Sequence, residues 1–114
     1  MKIVVTANGS NLDAPVSPVF GRCSFFIFVE TETMSFEAVP NPAMSARGGA
    51  GIQAAQLVVD RGAKAALSGN VGPNASDVLR AAHVPIYLIG EGTVRQLVEE
   101  YKAGRLEPAS AAKA

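Results

Sequence analysis

The chain has 114 residues, is 48% apolar and 18% charged, and balances ten Lys and Arg against ten Asp and Glu. That size suits one domain around one core, and the composition favours a compact fold over a disordered chain. Without a basic excess to hold a phosphate polymer, a general nucleic-acid binder is excluded.

Lys2–Thr6 (KIVVT) is β-branched and apolar and reads as a buried strand. A long loop follows, ANGSNLDAPVSPVFGR, and loops of this length are often functional. Ser24–Glu30 (SFFIFVE) carries aromatics on both faces and reads as a central strand. A short turn at Thr31–Thr33 leads to Ser35–Val39 (SFEAV), which alternates and fits an edge strand of a hairpin. Pro40 and Pro42 cannot donate to a ladder and end it. Asn41–Ala50 (NPAMSARGGA) is a loop that sets Arg47 against two glycines.

The next segment, Gly51–Arg61, has helical spacing and is expected to turn Ile52, Ala55, Val58 and Val59 to the core. Gly62 suits its left-handed cap. Lys64–Leu67 is a short strand. Ser68–Pro73 (SGNVGP) is a second glycine loop, with Pro73 at a helix start, where its missing N–H costs nothing. Ala75, Val78, Leu79 and Ala82 mark the buried face of the second helix. Pro85–Ile89 is the last strand, and Gly90–Gly92 turns the chain. Thr93 and Gln96 form a capping box for a third helix, which buries Val94, Leu97, Val98 and Tyr101 and stops at Gly104. Glu107–Ala114 is small and polar and is expected to fray. The resulting order, a strand, a hairpin, then α-β-α-β-α, predicts an α/β fold with a mixed five-stranded sheet and three helices.

Loops after parallel strands share one sheet edge, where ligands bind. Three such loops are rich in small polar residues: Ala7–Asn11, Ser68–Asn74 and Gly90–Thr93. Glycine lets a backbone approach a ligand, and helix N-termini present free N–H groups to anions. The candidate anion site therefore comprises Ser10, Gly21, Arg22, Arg47, Gly69, Asn70, Gly72 and Asn74. The plainer reading of each glycine is a turn former. No complete nucleotide-binding glycine motif occurs.

Cys23 is the single cysteine and His83 the single histidine. One chain therefore has no internal disulfide and no closed zinc site. Arg22 beside Cys23 is expected to favour a thiolate, which makes Cys23 the candidate metal ligand. The competing reading is a small core residue. His83 follows the second helix, and that position accounts for it without a ligand role. The carboxylates are scattered, which argues against acid–base or metal-nuclease chemistry. With no signal-peptide pattern at the start and no run approaching the ~18 apolar residues of a membrane span, a cytoplasmic, membrane-free protein is expected.

SPVFGRCSFFIFVE, GGAGIQAAQLVVDRGAKAALSGNVGPNASDVLRAAHVPIYL and GTVRQLVEEYKAGRL together resemble the dinitrogenase iron–molybdenum cofactor biosynthesis family, the group of NifX, NafY and the C-terminal part of NifB. The resemblance spans residues 1–106 as one domain and leaves 107–114 as a flexible tail. It implies a ribonuclease-H-like α/β fold with sheet order 3-2-1-4-5 and an antiparallel second strand. It also implies non-catalytic binding or carriage of an iron–sulfur-type cluster or iron–molybdenum cofactor precursor, with cofactor-assembly or nitrogenase-type proteins as partners. Some members carry a His before the FG pair, where this chain has Val19. A regulatory or scaffold protein without a cluster is the alternative, and an enzyme acting on a phosphorylated substrate ranks third.

Overall fold

The computed structural model describes residues 1–42 and 50–108. Five strands and three helices run in the order β1 (Lys2–Ala7), β2 (Phe25–Glu30), β3 (Phe36–Pro40), α1 (Ala50–Asp60), β4 (Ala66–Ser68), α2 (Pro73–Ala81), β5 (Ile86–Leu88) and α3 (Val94–Lys102). A single 3-10 turn, Phe20–Arg22, precedes β2. The strands form one sheet in the order β3-β2-β1-β4-β5. β2 runs antiparallel to both β1 and β3, whereas β1, β4 and β5 are parallel. The sheet order and the antiparallel second strand are those the resemblance implies.

Strand alternation sends side chains to two separate cores. Val4, Phe26, Phe28 and Ala66 meet Ala54, Ala55 and Val58 of α1 and Leu79 of α2 on one face. Ile3, Val5, Ile27, Val29 and Leu67 meet Val94, Leu97 and Val98 of α3 on the other. Both faces of the central strands are covered, which is why β1 and β2 read as nearly continuous apolar runs. Each fully buried Val, Ile or Phe here contributes about 1.5–3 kcal/mol against conformational entropy.

All three helices end in one way. In α1 the N–H of Gly62 meets the Val59 carbonyl and the N–H of Ala63 meets that of Val58. The same pair of bonds closes α2 at His83 and Val84, and α3 at Gly104 and Arg105. Each stop needs a left-handed residue, and φ is +79° at Gly62, +74° at Gly104 and +61° at His83. The Thr93–Gln96 capping box opens α3 as expected.

Several expectations shift. Ile52 is exposed, and Ala54 takes the core position in its place. The buried stripe of α1 is built from small residues that let helices approach closely, so weighting the bulky side chains misplaces the face. Ala82 is exposed, because α2 has already ended there, and Val84 is buried instead. Tyr101 is only half-buried and meets Tyr87 edge to face at 5.0 Å. Glu107 and Pro108, assigned to the tail, lie along β5, with the Leu88 N–H donating to the Glu107 carbonyl. Residues 109–114 lie outside the described residues.

Candidate functional site

The carboxyl ends of β1 and β4 lie side by side, and the chain after β1 folds back across them. Ala7 bridges Val16, Pro15 bridges Thr93 and Val19 bridges Asn70. The Phe20 N–H donates to the Asn70 carbonyl at 2.9 Å, and the Asn70 N–H donates to the Pro18 carbonyl at 2.6 Å. Glycine is required at 69 because a Cβ there would stand 2.3 Å from the Pro18 oxygen. The Thr6 hydroxyl lies 3.0 Å from the Ser17 carbonyl oxygen and 3.2 Å from the Ser68 hydroxyl, so buried polar groups close this seam from below.

This seam narrows the expected rim. The first amides of α3 are already used: the Val94 N–H donates to the Ala14 carbonyl and the Arg95 N–H to that of Leu12. The first turn of α3 therefore has no amide left for an anion at Val94 or Arg95. Ser10 stands exposed on an excursion closed at its neck by the Asn8 N–H on the Pro15 carbonyl, and among the described residues no hydrogen bond ties it to the other candidates. Asp13 pairs with Arg95 at 3.2 Å rather than facing a cleft.

Free donors remain on the other side of the seam. Gly72 caps α2 without a side-chain hydrogen bond, and Pro73 sits in the first turn. Among the described residues, no protein acceptor meets the N–H groups of Val71, Gly72, Asn74 and Ala75. These amides, with the positive end of the α2 dipole, suit an anion. The first turn of α1 packs beside them, since a Cβ on Gly51 would lie 3.4 Å from the Ala75 Cβ.

The Phe20–Gly21–Arg22 turn completes this corner. Phe20 is buried and packs on Phe26 at 5.4 Å, anchoring the turn. Arg22 is exposed and, among the described residues, makes no ion pair. The seam thus joins the turn that carries Gly21 and Arg22 to the Gly69–Asn70 step, from which the chain runs on through Gly72 and Asn74 into α2. Arg47 lies outside the described residues.

Cys23 departs from its expected role. It is fully buried in the α1–α2 core, and its thiol donates to the Phe20 carbonyl at 3.3 Å. Burial pushes the thiol up to about 12, so Arg22 does not make it a thiolate. Among the described residues no three His, Cys, Asp or Glu side chains gather to hold a metal ion. The corner fits an anion held by hydrogen bonds and charge, and does not fit a cluster bonded through Cys23.

Asn41 is a residue that pattern reading misses. It sits in an Asn-Pro pair after an edge strand, which marks a turn, yet it is buried and its side-chain N–H group donates to the carbonyls of Gly21 and Cys23. The free amides of Val71 and Ala75 also escape notice, because an apolar side chain says nothing about its own backbone. A groove of about 710 Å³ lies elsewhere, beside Thr31, Tyr87, Tyr101 and Lys102. Thr31 follows the far end of β2, at the sheet edge opposite the seam.

A family model described as dinitrogenase iron–molybdenum cofactor matches residues 1–104. The apo form of the orange protein from Desulfovibrio gigas is 41% identical, with a TM-score of 0.91, over 95% of this chain and 92% of that one. A putative NifB protein from Thermotoga is 34% identical, with a TM-score of 0.82, over 94% of this chain and 91% of its own. An uncharacterized protein of Methanocaldococcus jannaschii is 29% identical over 110 residues, 94% of this chain and 90% of its own.

Proposed function

Because the chain belongs to the dinitrogenase iron–molybdenum cofactor family, we propose that it is a non-catalytic carrier for an anionic iron–sulfur-type cluster or an iron–molybdenum cofactor precursor. The observation that supports this reading is that the turn bearing Arg22 is bonded, through Phe20, to Asn70, beside the amides of Val71, Gly72, Asn74 and Ala75; among the described residues those amides meet no acceptor and Arg22 makes no ion pair. Similarity to a putative NifB protein and to an orange protein fits the same role.

In this reading the cargo is held by main-chain hydrogen bonds and guanidinium charge, without a protein thiolate. Such a grip suits a carrier. Charge-assisted hydrogen bonds are strong enough to hold an anion, yet no covalent ligand has to be exchanged when it is handed on. Arg22 supplies a planar fork of donors that matches paired sulfur or oxygen atoms at a cluster edge. Arg47, which precedes α1 in the sequence, is proposed as a second cation for the same cargo. Ser10, exposed on its own excursion, is proposed as no more than a peripheral contact. Cytoplasmic cofactor-assembly or nitrogenase-type proteins are the partners this role requires.

The test is anaerobic titration with tetrathiomolybdate, a dianionic thiometallate. Saturable binding with a perturbed visible band is expected, and Arg22→Gln should weaken it. Absence of saturable binding would favour the alternative, a scaffold that works through protein contacts with its glycine loops serving only as turns.

A further inference from the structure

The Phe20–Arg22 turn has little holding it from within. Its own backbone bond, the Arg22 N–H on the Val19 carbonyl, is 3.3 Å long, and no side chain caps its start. Three residues of 3-10 geometry are marginal without outside support. The Phe20 end is held by the seam, by the buried Phe20 ring on Phe26 and by the Cys23 thiol on the Phe20 carbonyl. The Gly21 and Cys23 carbonyls, on either side of Arg22, are met by the Asn41 side chain.

Asn41 is 6% exposed and stands at the end of β3, where its backbone N–H donates to the Ser24 carbonyl at 3.0 Å. Its Nδ2 donates to the Gly21 carbonyl at 3.2 Å and to the Cys23 carbonyl at 3.0 Å. Those two carbonyls flank Arg22 on either side. A carboxamide nitrogen carries two N–H donors on one atom, and two facing carbonyl oxygens dictate which end of the amide turns toward them. The same nitrogen lies 3.9 Å from the Cys23 sulfur, so one side chain clasps the whole Gly21–Cys23 segment. An aspartate of identical shape would set carboxylate oxygens against carbonyl oxygens. A serine lacks the reach for both, and a glutamine is one methylene too long.

We infer that Asn41 is the positioning residue of the anion site, holding the carbonyls on both sides of Arg22 so that the guanidinium is presented beside the α2 N-terminus. This rests on the carrier reading given above. In this role Asn41 acts on the cargo through Arg22.

The experiment is a double-mutant cycle on the full chain, with tetrathiomolybdate as the probe and affinity expressed per folded protein, the folded fraction being taken from circular dichroism. Asn41→Ala should weaken binding about tenfold, the scale of two lost hydrogen bonds converted to affinity. In an Arg22→Gln background the same change should cost no further affinity, because the group it positions is gone. Asn41→Ser, which keeps one donor, should fall between wild type and Asn41→Ala and serves if the alanine variant does not fold. A merely structural role would lower the melting temperature and leave affinity per folded protein unchanged, and that result overturns the inference. Losses that add fully in the double mutant overturn it too. If the wild-type chain itself does not bind, the carrier reading fails and takes the inference with it. Wild-type binding with unaltered Asn41 variants sinks the inference alone.

Discussion

Gly69 and Pro18 touch backbone to backbone, close enough that a Cβ on Gly69 would stand 2.3 Å from the Pro18 carbonyl oxygen and 2.9 Å from its carbonyl carbon. This contact sews the loop after β1 onto the end of β4 and so sets where the Phe20–Arg22 turn lies. Gly69→Ala forces that backbone apart. It should cost about 1–3 kcal/mol, as overpacking does, and weaken anion binding as the turn moves. A urea melt that superimposes on wild type would contradict the seam.

His83 occupies the left-handed stop of α2 that glycine occupies in α1 and α3. A side chain in that conformation costs roughly 1 kcal/mol relative to glycine, partly offset by the freedom glycine gains when unfolded. His83→Gly should therefore stabilise the protein by about 0.5 kcal/mol. His83→Val, β-branched at positive φ, should destabilise it. Equilibrium urea midpoints of the two variants check the sign, and equal midpoints would remove the strain.

Cys23 carries an alkaline signature. Burial raises its folded value from the ordinary thiol range to about 12, while the unfolded thiol ionises near its usual 9. The unfolded state then releases a proton that the folded state keeps. The stabilisation is complete below pH 9 and is lost as pH rises toward 12. Within that window this group should add a slope of about 1.4 kcal/mol per pH unit. Cys23→Ala should flatten the slope relative to wild type, measured by urea denaturation at stepped pH. Native labelling of the thiol at neutral pH should also be slow.

Arg22 is exposed and unpaired among the described residues, so its removal touches binding and not folding. Arg22→Gln should leave stability within about 0.5 kcal/mol, as for an ordinary surface change. It should weaken tetrathiomolybdate binding about tenfold and reduce its salt dependence. Affinity equal to that of wild type would take Arg22 out of the site.

The sheet, its helices and their stops were legible because they rest on repeated signals. The β-branched apolar run of Lys2–Thr6, the Thr93–Gln96 cap and the glycines at 62 and 104 each act locally, and the structure keeps them. Ile52 escaped because the buried stripe of α1 is built from small residues, and Ala82 because helical spacing alone does not say where a helix ends. The site was half legible. The FGR turn and the Gly69–Asn74 loop do meet, but sequence could not show that the loop after β1 fills the α3 side of the rim. Nor could it show that Cys23 points inward, since an exposed arginine beside a cysteine looks alike whichever way the thiol turns. Asn41 was hidden for the reverse reason: its partners are backbone carbonyls, which leave no mark in a pattern of side chains.

The most direct measurement is the metal and acid-labile sulfide content of anaerobically purified protein, compared among wild type, Cys23→Ala and Arg22→Gln. A cargo held by amides and a guanidinium predicts metal and sulfide in wild type, undiminished in Cys23→Ala and depleted in Arg22→Gln. Wild-type protein free of both, or a content that falls only when the Cys23 sulfur is removed, would contradict it.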